Sequence, residues 1–288
     1  MTASSNVFGS ERRYRLFTAV KYLTFMLLGI NVYLFLQEEL LTLAAMGLES
    51  VSAGQLVQVF SATIDTAAWV VLLLLFELET SVLDDRRIHG PVRWALHGIR
   101  GLCGIAIVYA FTGYYAELGP LYAIAPFVDD ACALAGESWS LLVSLDDFVP
   151  LDAASCGLLG GDIYQLQGFN VLADAESLSA AQRLAWVDVL NSGVWILVVV
   201  VLEIEVRLQL RGKLSAGILR LNKYFKSVLY GLLFIAAAYW GVAGDFLDFW
   251  DASLWLFAFI FIEMNVFEWQ YESRRDAAAA EQIPPLPL

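Results

Sequence analysis

Charge is scarce in this chain, at 16 % of residues, and bases are scarcer still: seventeen Lys and Arg stand against thirty Asp and Glu. A nucleic-acid binder needs a basic patch, so that class is excluded. Two histidines, His89 and His97, and three cysteines leave little for a His-ligated zinc or haem or for a thiolate cluster. There is no Gly-rich phosphate loop, no Gly-x-Ser-x-Gly, no Cys-x-x-Cys and no His-Glu-x-x-His. Asp pairs such as Asp129–Asp130 and Asp146–Asp147 lack a nucleophile with a matched base. The sequence therefore points away from an enzyme and to no cofactor and no resident metal. It also lacks an Asn-x-Ser/Thr sequon, which favours a bacterial inner membrane over a glycosylating compartment.

What the chain has is apolar length. Hydrophobic residues make up 59 % of its 288 residues, against about 45–50 % in soluble domains. Disorder is thereby excluded. A bilayer core needs roughly 20 apolar residues of helix. Six stretches meet this: Phe17–Gln37, Val57–Glu79, Trp94–Leu118, Trp186–Val206, Phe225–Phe246 and Asp251–Trp269. The expected fold is an all-α integral membrane protein, with the lipid bilayer as its main partner. The basic run at 11–15 leads into a full-length span, so the first helix reads as a retained anchor rather than a cleaved signal.

The few bases are ordered. Sixteen of the seventeen flank one set of span ends, and only Arg183 lies on the other side. The positive-inside rule then places both termini in the cytoplasm and residues 38–56 and 119–185 outside. On this topology eighteen acids and one base lie outside, and twelve acids and sixteen bases inside. Trp94, Trp186, Trp250 and Trp269 fall near span ends, as interfacial anchors do.

The outer stretch 119–185 is too long for a plain connection. It holds Cys132 and Cys156, a plausible disulfide in an oxidising compartment. Ile163–Leu172 alternates loosely, as a short hairpin does, and Ser179 with Gln182 reads as a capping box opening the helix that enters the fourth span. Nine acids here read as a solvated face that could attract a cation or a partner protein. No spacing matches an EF-hand. Residues 38–56 read as a short surface helix, and Ala277–Leu288 as a cytoplasmic tail.

The even-numbered spans share a pattern. Asp65, Trp69, Glu77 and Glu79 recur as Asn191, Trp195, Glu203 and Glu205, and again as Asp251, Trp255, Glu263 and Asn265. The odd-numbered spans each open with two bases six or seven apart, ending on Lys21, Arg100 and Lys226. The chain then divides into a segment 1–14, hairpin repeats 15–93, 94–213 and 214–276, and a tail 277–288, with lobe 119–185 inserted in the second hairpin. Each Trp lies one turn below its Asp or Asn, and each Glu roughly 12 Å further down the axis. Charge inside a span is costly unless paired or wetted, so Glu77, Glu203 and Glu263 are expected to meet Lys21, Arg100 and Lys226. The i+2 residues Glu79, Glu205 and Asn265 should find other neighbours.

Three hairpins with a cytoplasmic charge network resemble the mitochondrial carrier family in arrangement. That family's Pro-x-[Asp/Glu]-x-x-[Lys/Arg] motif occurs in no odd-numbered span, so the resemblance implies geometry alone. Two functions fit. One is transport or conduction of a small solute or cation, with the charge set as gate or ion site. The other is a non-catalytic subunit of a membrane complex or homo-oligomer, with the same charges fixing helix packing.

Overall fold

A computed structural model describes residues 11–45, 59–79, 90–210 and 216–261. Six α-helices lie among them: α1 Glu11–Ala45, α2 Ser61–Glu77, α3 Pro91–Tyr122, α4 Ala175–Leu210, α5 Ala216–Ala243 and α6 over 246–261. Stretches within α1, α3, α4 and α5 are long and apolar enough to cross a membrane. The second and sixth predicted spans coincide with α2 and α6, which within the described residues are shorter. Glu263, Asn265, Trp269 and the tail 277–288 lie outside the described residues, as do 46–58.

Neighbouring helices pack in order from α1 to α5. Tyr230 of α5 meets Phe259 of α6, and α6 closes the circle on α1 through the Phe17–Phe261 ring contact and a hydrogen bond from Asn31 to Asp251. The even-numbered helices meet in the middle, in a core that includes Leu73, Val194, Trp195, Val198, Trp255, Ala258 and Phe259. Outward faces stay apolar and exposed, among them Leu102, Ile105, Leu190, Phe234, Ile235 and Phe257. That is the surface a bilayer would cover.

The all-α expectation needs correction. Between α3 and α4 the chain forms a five-stranded sheet from β1 Ile124–Phe127, β2 Ser140–Leu142, β3 Phe148–Pro150, β4 Ile163–Leu166 and β5 Val171–Asp174. Its order is β1-β4-β5-β2-β3, all antiparallel except β2 beside β5. The β4–β5 pair is the hairpin the alternation suggested, turning at Gly168 with φ +87°. The other strands are too short to announce themselves. Cys132 and Cys156 are disulfide-bonded, tying the two 3-10 turns Ala131–Leu134 and Ser155–Leu158.

The lobe is fused to the bundle. Leu142, Leu145, Leu166 and Val171 share one core with Leu118, Leu121, Leu184 and Trp240 of the helices. Three sequence expectations shift here. α1 runs unbroken to Ala45, so the start of 38–56 belongs to the first helix. α3 continues past Leu118 through Pro120. α4 starts at Ala175, capped by Asp174, whose carboxylate accepts the Ser177 N–H at 2.8 Å. Ser179 is therefore one turn and Gln182 two turns inside the helix, and Gln182 donates instead to the Leu121 carbonyl.

Candidate functional site

Two adjoining cavities occupy the lobe end of the bundle. The upper one, about 110 Å³, lies between the lobe and the helix ends. Six carboxylates line it: Glu38 and Glu39 from α1, Glu117 from α3, Asp146 from the β2–β3 turn, Asp188 from α4 and Asp248 from α6. No Lys, Arg or His is among the lining residues. Sequence reasoning did not single out this convergence. Glu117 and Asp188 lay inside predicted spans, and an ionisable residue there was signal enough. Asp146, expected on a solvated face, is exposed and at the same time lines this cavity.

Several of these acids are held by specific donors. Glu39 accepts the backbone N–H groups of Ala62 and Thr63 at 2.8 and 3.2 Å and the Thr63 hydroxyl, so α1 supplies the anion that caps the first turn of α2. Ser61 donates to Glu117 at 2.7 Å. The Trp240 indole donates to Asp188 at 3.1 Å. The α5–α6 turn needs Gly244, whose φ is +91°. Asp245 then accepts the Asp248 N–H at 3.3 Å and opens α6. Carboxylate oxygens of Asp146, Asp245 and Asp248 lie within 4.8 Å of one another. Asp146 keeps a face open to water, yet the protein around it, and then Asp245, push its carboxyl from 3.8 up to about 7.

The lower cavity, about 40 Å³, shares Phe35, Tyr114 and Asp248 with the upper one. Its wall contains all three residues of the first repeat position, Asp65, Asn191 and Asp251, and all three tryptophans, Trp69, Trp195 and Trp255. The indoles close a triangle, with centroids 6.2, 6.3 and 6.5 Å apart. Trp69 and Trp255 each follow an acid by four residues, Asp65 and Asp251, which line the same wall. Asn31 of α1 donates to Asp251 at 2.7 Å. Beyond the triangle the centre is filled by Leu28, Leu73, Val198, Leu233 and Phe259.

At the far end the charges pair off between neighbours. Lys21 meets Glu77 at 2.7 Å, and Tyr22 donates to the same oxygen at 3.0 Å. Arg100 meets Glu79 at 2.7 Å rather than Glu203. Lys226 meets Glu205 at 3.0 Å, beside Asn222 at 2.6 Å. Glu203 turns outward to Arg207, one turn along its own helix. The i+2 acids thus take two of the three bases, because α3 and α5 present Arg100 and Lys226 sideways to the preceding even helix, while α1 presents Lys21 to α2, which follows it. Glu263 and Asn265 lie outside the described residues.

The chain matches no family model, and neither curated proteins nor solved structures show a match to it. The functional reading accordingly rests on the geometry of the two cavities.

Proposed function

We propose that this is a six-span membrane protein that admits a small cation from the lobe side and hands it toward the tryptophan triangle. The lobe then lies outside and both termini in the cytoplasm, as the distribution of bases suggests. The observation that carries the reading is the pair of adjoining cavities lined by carboxylates and by no base. Carboxylates at such a mouth concentrate cations and repel anions. The three indoles and the apolar packing beyond them close the path, so passage requires movement of the even helices, as in a gated transporter rather than an open pore. At the far end Arg100–Glu79 and Lys226–Glu205 act as clasps between successive hairpins, and Lys21–Glu77 closes the first hairpin on itself.

The test is flux. The full chain is reconstituted in liposomes and challenged separately with gradients of Ca²⁺, Na⁺ and K⁺, read by ion-sensitive dyes inside. Uptake of at least one cation is expected, with Asp188→Asn slower by roughly tenfold and Glu203→Gln near wild type. Absence of uptake for every cation overturns the reading and returns the protein to the class of non-catalytic membrane subunits.

A further inference from the structure

The first position of the threefold repeat has a chemistry of its own. Asp65, Asn191 and Asp251 each precede their Trp by four residues, so the helical turn that brings the indoles together also brings three oxygen-bearing side chains to one level. Asp65 is 9 % exposed and lines the lower cavity, yet its Oδ1 has no hydrogen-bond partner. Asn191 Oδ1 is in the same state in the same wall. Behind them Asn31 is 1 % exposed, spends its amide on Asp251, and leaves its own Oδ1 unpartnered. Buried acceptors are ordinarily satisfied. Among the nearby donors, Asn31 gives its amide to Asp251 and Trp240 its indole to Asp188. No Lys, Arg or His lines the chamber.

We propose that this chamber is a binding site for one divalent cation of the calcium type, held by Asp65, Asn191 and Asp251. The proposal rests on the cation reading above and names the ion's class. All the available atoms are hard oxygens, which suit Ca²⁺ rather than a thiolate- or imidazole-seeking metal. Two carboxylates match a double positive charge, whereas a monovalent ion leaves one uncompensated. A cavity of about 40 Å³ admits an ion together with a few of its waters. Ca²⁺ accepts an irregular mixture of carboxylate and amide oxygens, while Mg²⁺ demands an octahedron and keeps several waters. Scarce His and Cys and the lack of an EF-hand spacing hide such a site in the sequence. This oxygen set comes from three helices and no loop.

The test is equilibrium binding of Ca²⁺ to the full chain in mild detergent after chelator stripping, by calorimetry and tryptophan fluorescence. Saturable binding is expected, weakened at least 100-fold in the double variant Asp65→Asn, Asp251→Asn and retained in Asp146→Asn. Binding that survives the double variant unchanged, or that is lost in Asp146→Asn alone, overturns the proposal, as does equal affinity for Na⁺ or K⁺. If the double variant does not fold, Asn191→Asp decides. A third carboxylate should tighten Ca²⁺ binding at least fivefold, and unchanged or weaker binding overturns the site. Binding without flux in liposomes defeats the transport reading and leaves the site standing. Flux without this binding does the reverse.

Discussion

Lys21 and Glu77 show what a single charge costs in this setting. Both are buried, at 6 and 5 % exposure, and one Glu77 oxygen has no partner. Removing one member of a buried pair leaves an uncompensated charge and costs about 3–5 kcal/mol. Lys21→Met should therefore lower the melting temperature in detergent by roughly 10 °C. The double change Lys21→Met, Glu77→Leu should recover most of that loss, since replacing both charges by apolar groups is close to neutral. Glu203→Ala, which breaks an exposed pair one helical turn long, should shift it by about 1 °C or less. That these acids would be paired followed from their position in apolar spans. Which base each would take did not, because the partner depends on how a helix is rotated about its axis. Asp188 and Glu117 carry the complementary lesson. They were as visible in the sequence as Glu77, but outside the repeat pattern, so their meeting around one cavity had no local sign.

The helices were legible because their apolar runs exceed what any soluble helix needs. Their ends were less so. The capping box drawn at Ser179 gave way to Asp174, which closes β5 opposite Ile163 and opens α4 in the same residue. A strand that ends on a cap leaves no polar loop to mark the boundary. Asp174→Ala should cost about 1 kcal/mol through the lost bond to the Ser177 N–H, visible as a melting temperature lower by roughly 3 °C. No change would mean that the β4–β5 pairing alone fixes the helix start. The sheet itself escaped notice for a different reason. Its strands span three or four residues, too few for alternation to register, and β2 pairs with β5 across thirty-one residues of chain, Ser140 beside Val171. Only the pair joined by the Gly168 turn was local enough to see.

At the scale of the whole molecule, the acid excess has a consequence for pH. A carboxyl whose pKa is higher in the folded state keeps its proton where the unfolded chain has lost it, so stability falls as pH rises between the two values. For Asp146 those values are 3.8 and about 7. The melting temperature of the metal-free protein should fall between pH 4 and pH 7 and level off above, and Asp146→Asn should make the fall shallower. A stability that rises over that range would contradict the shielding of Asp146 from water and its crowding by Asp245. By itself the sequence determined that the chain is dominated by long apolar helices, at which helix ends its bases gather, which cysteines pair, and that a triad of Asp or Asn, Trp and Glu recurs, because hydropathy, charge and repeat spacing are properties of the chain in one dimension. Tertiary structure decided what the repeat does. Helix rotation turned the tryptophans and their preceding oxygens to the centre and sent the glutamates sideways to adjacent bases. Folding of the lobe onto the helix ends gathered carboxylates from five separate elements around one cavity. Convergence of that kind is fixed by the packing of distant segments, and no local spacing encodes it.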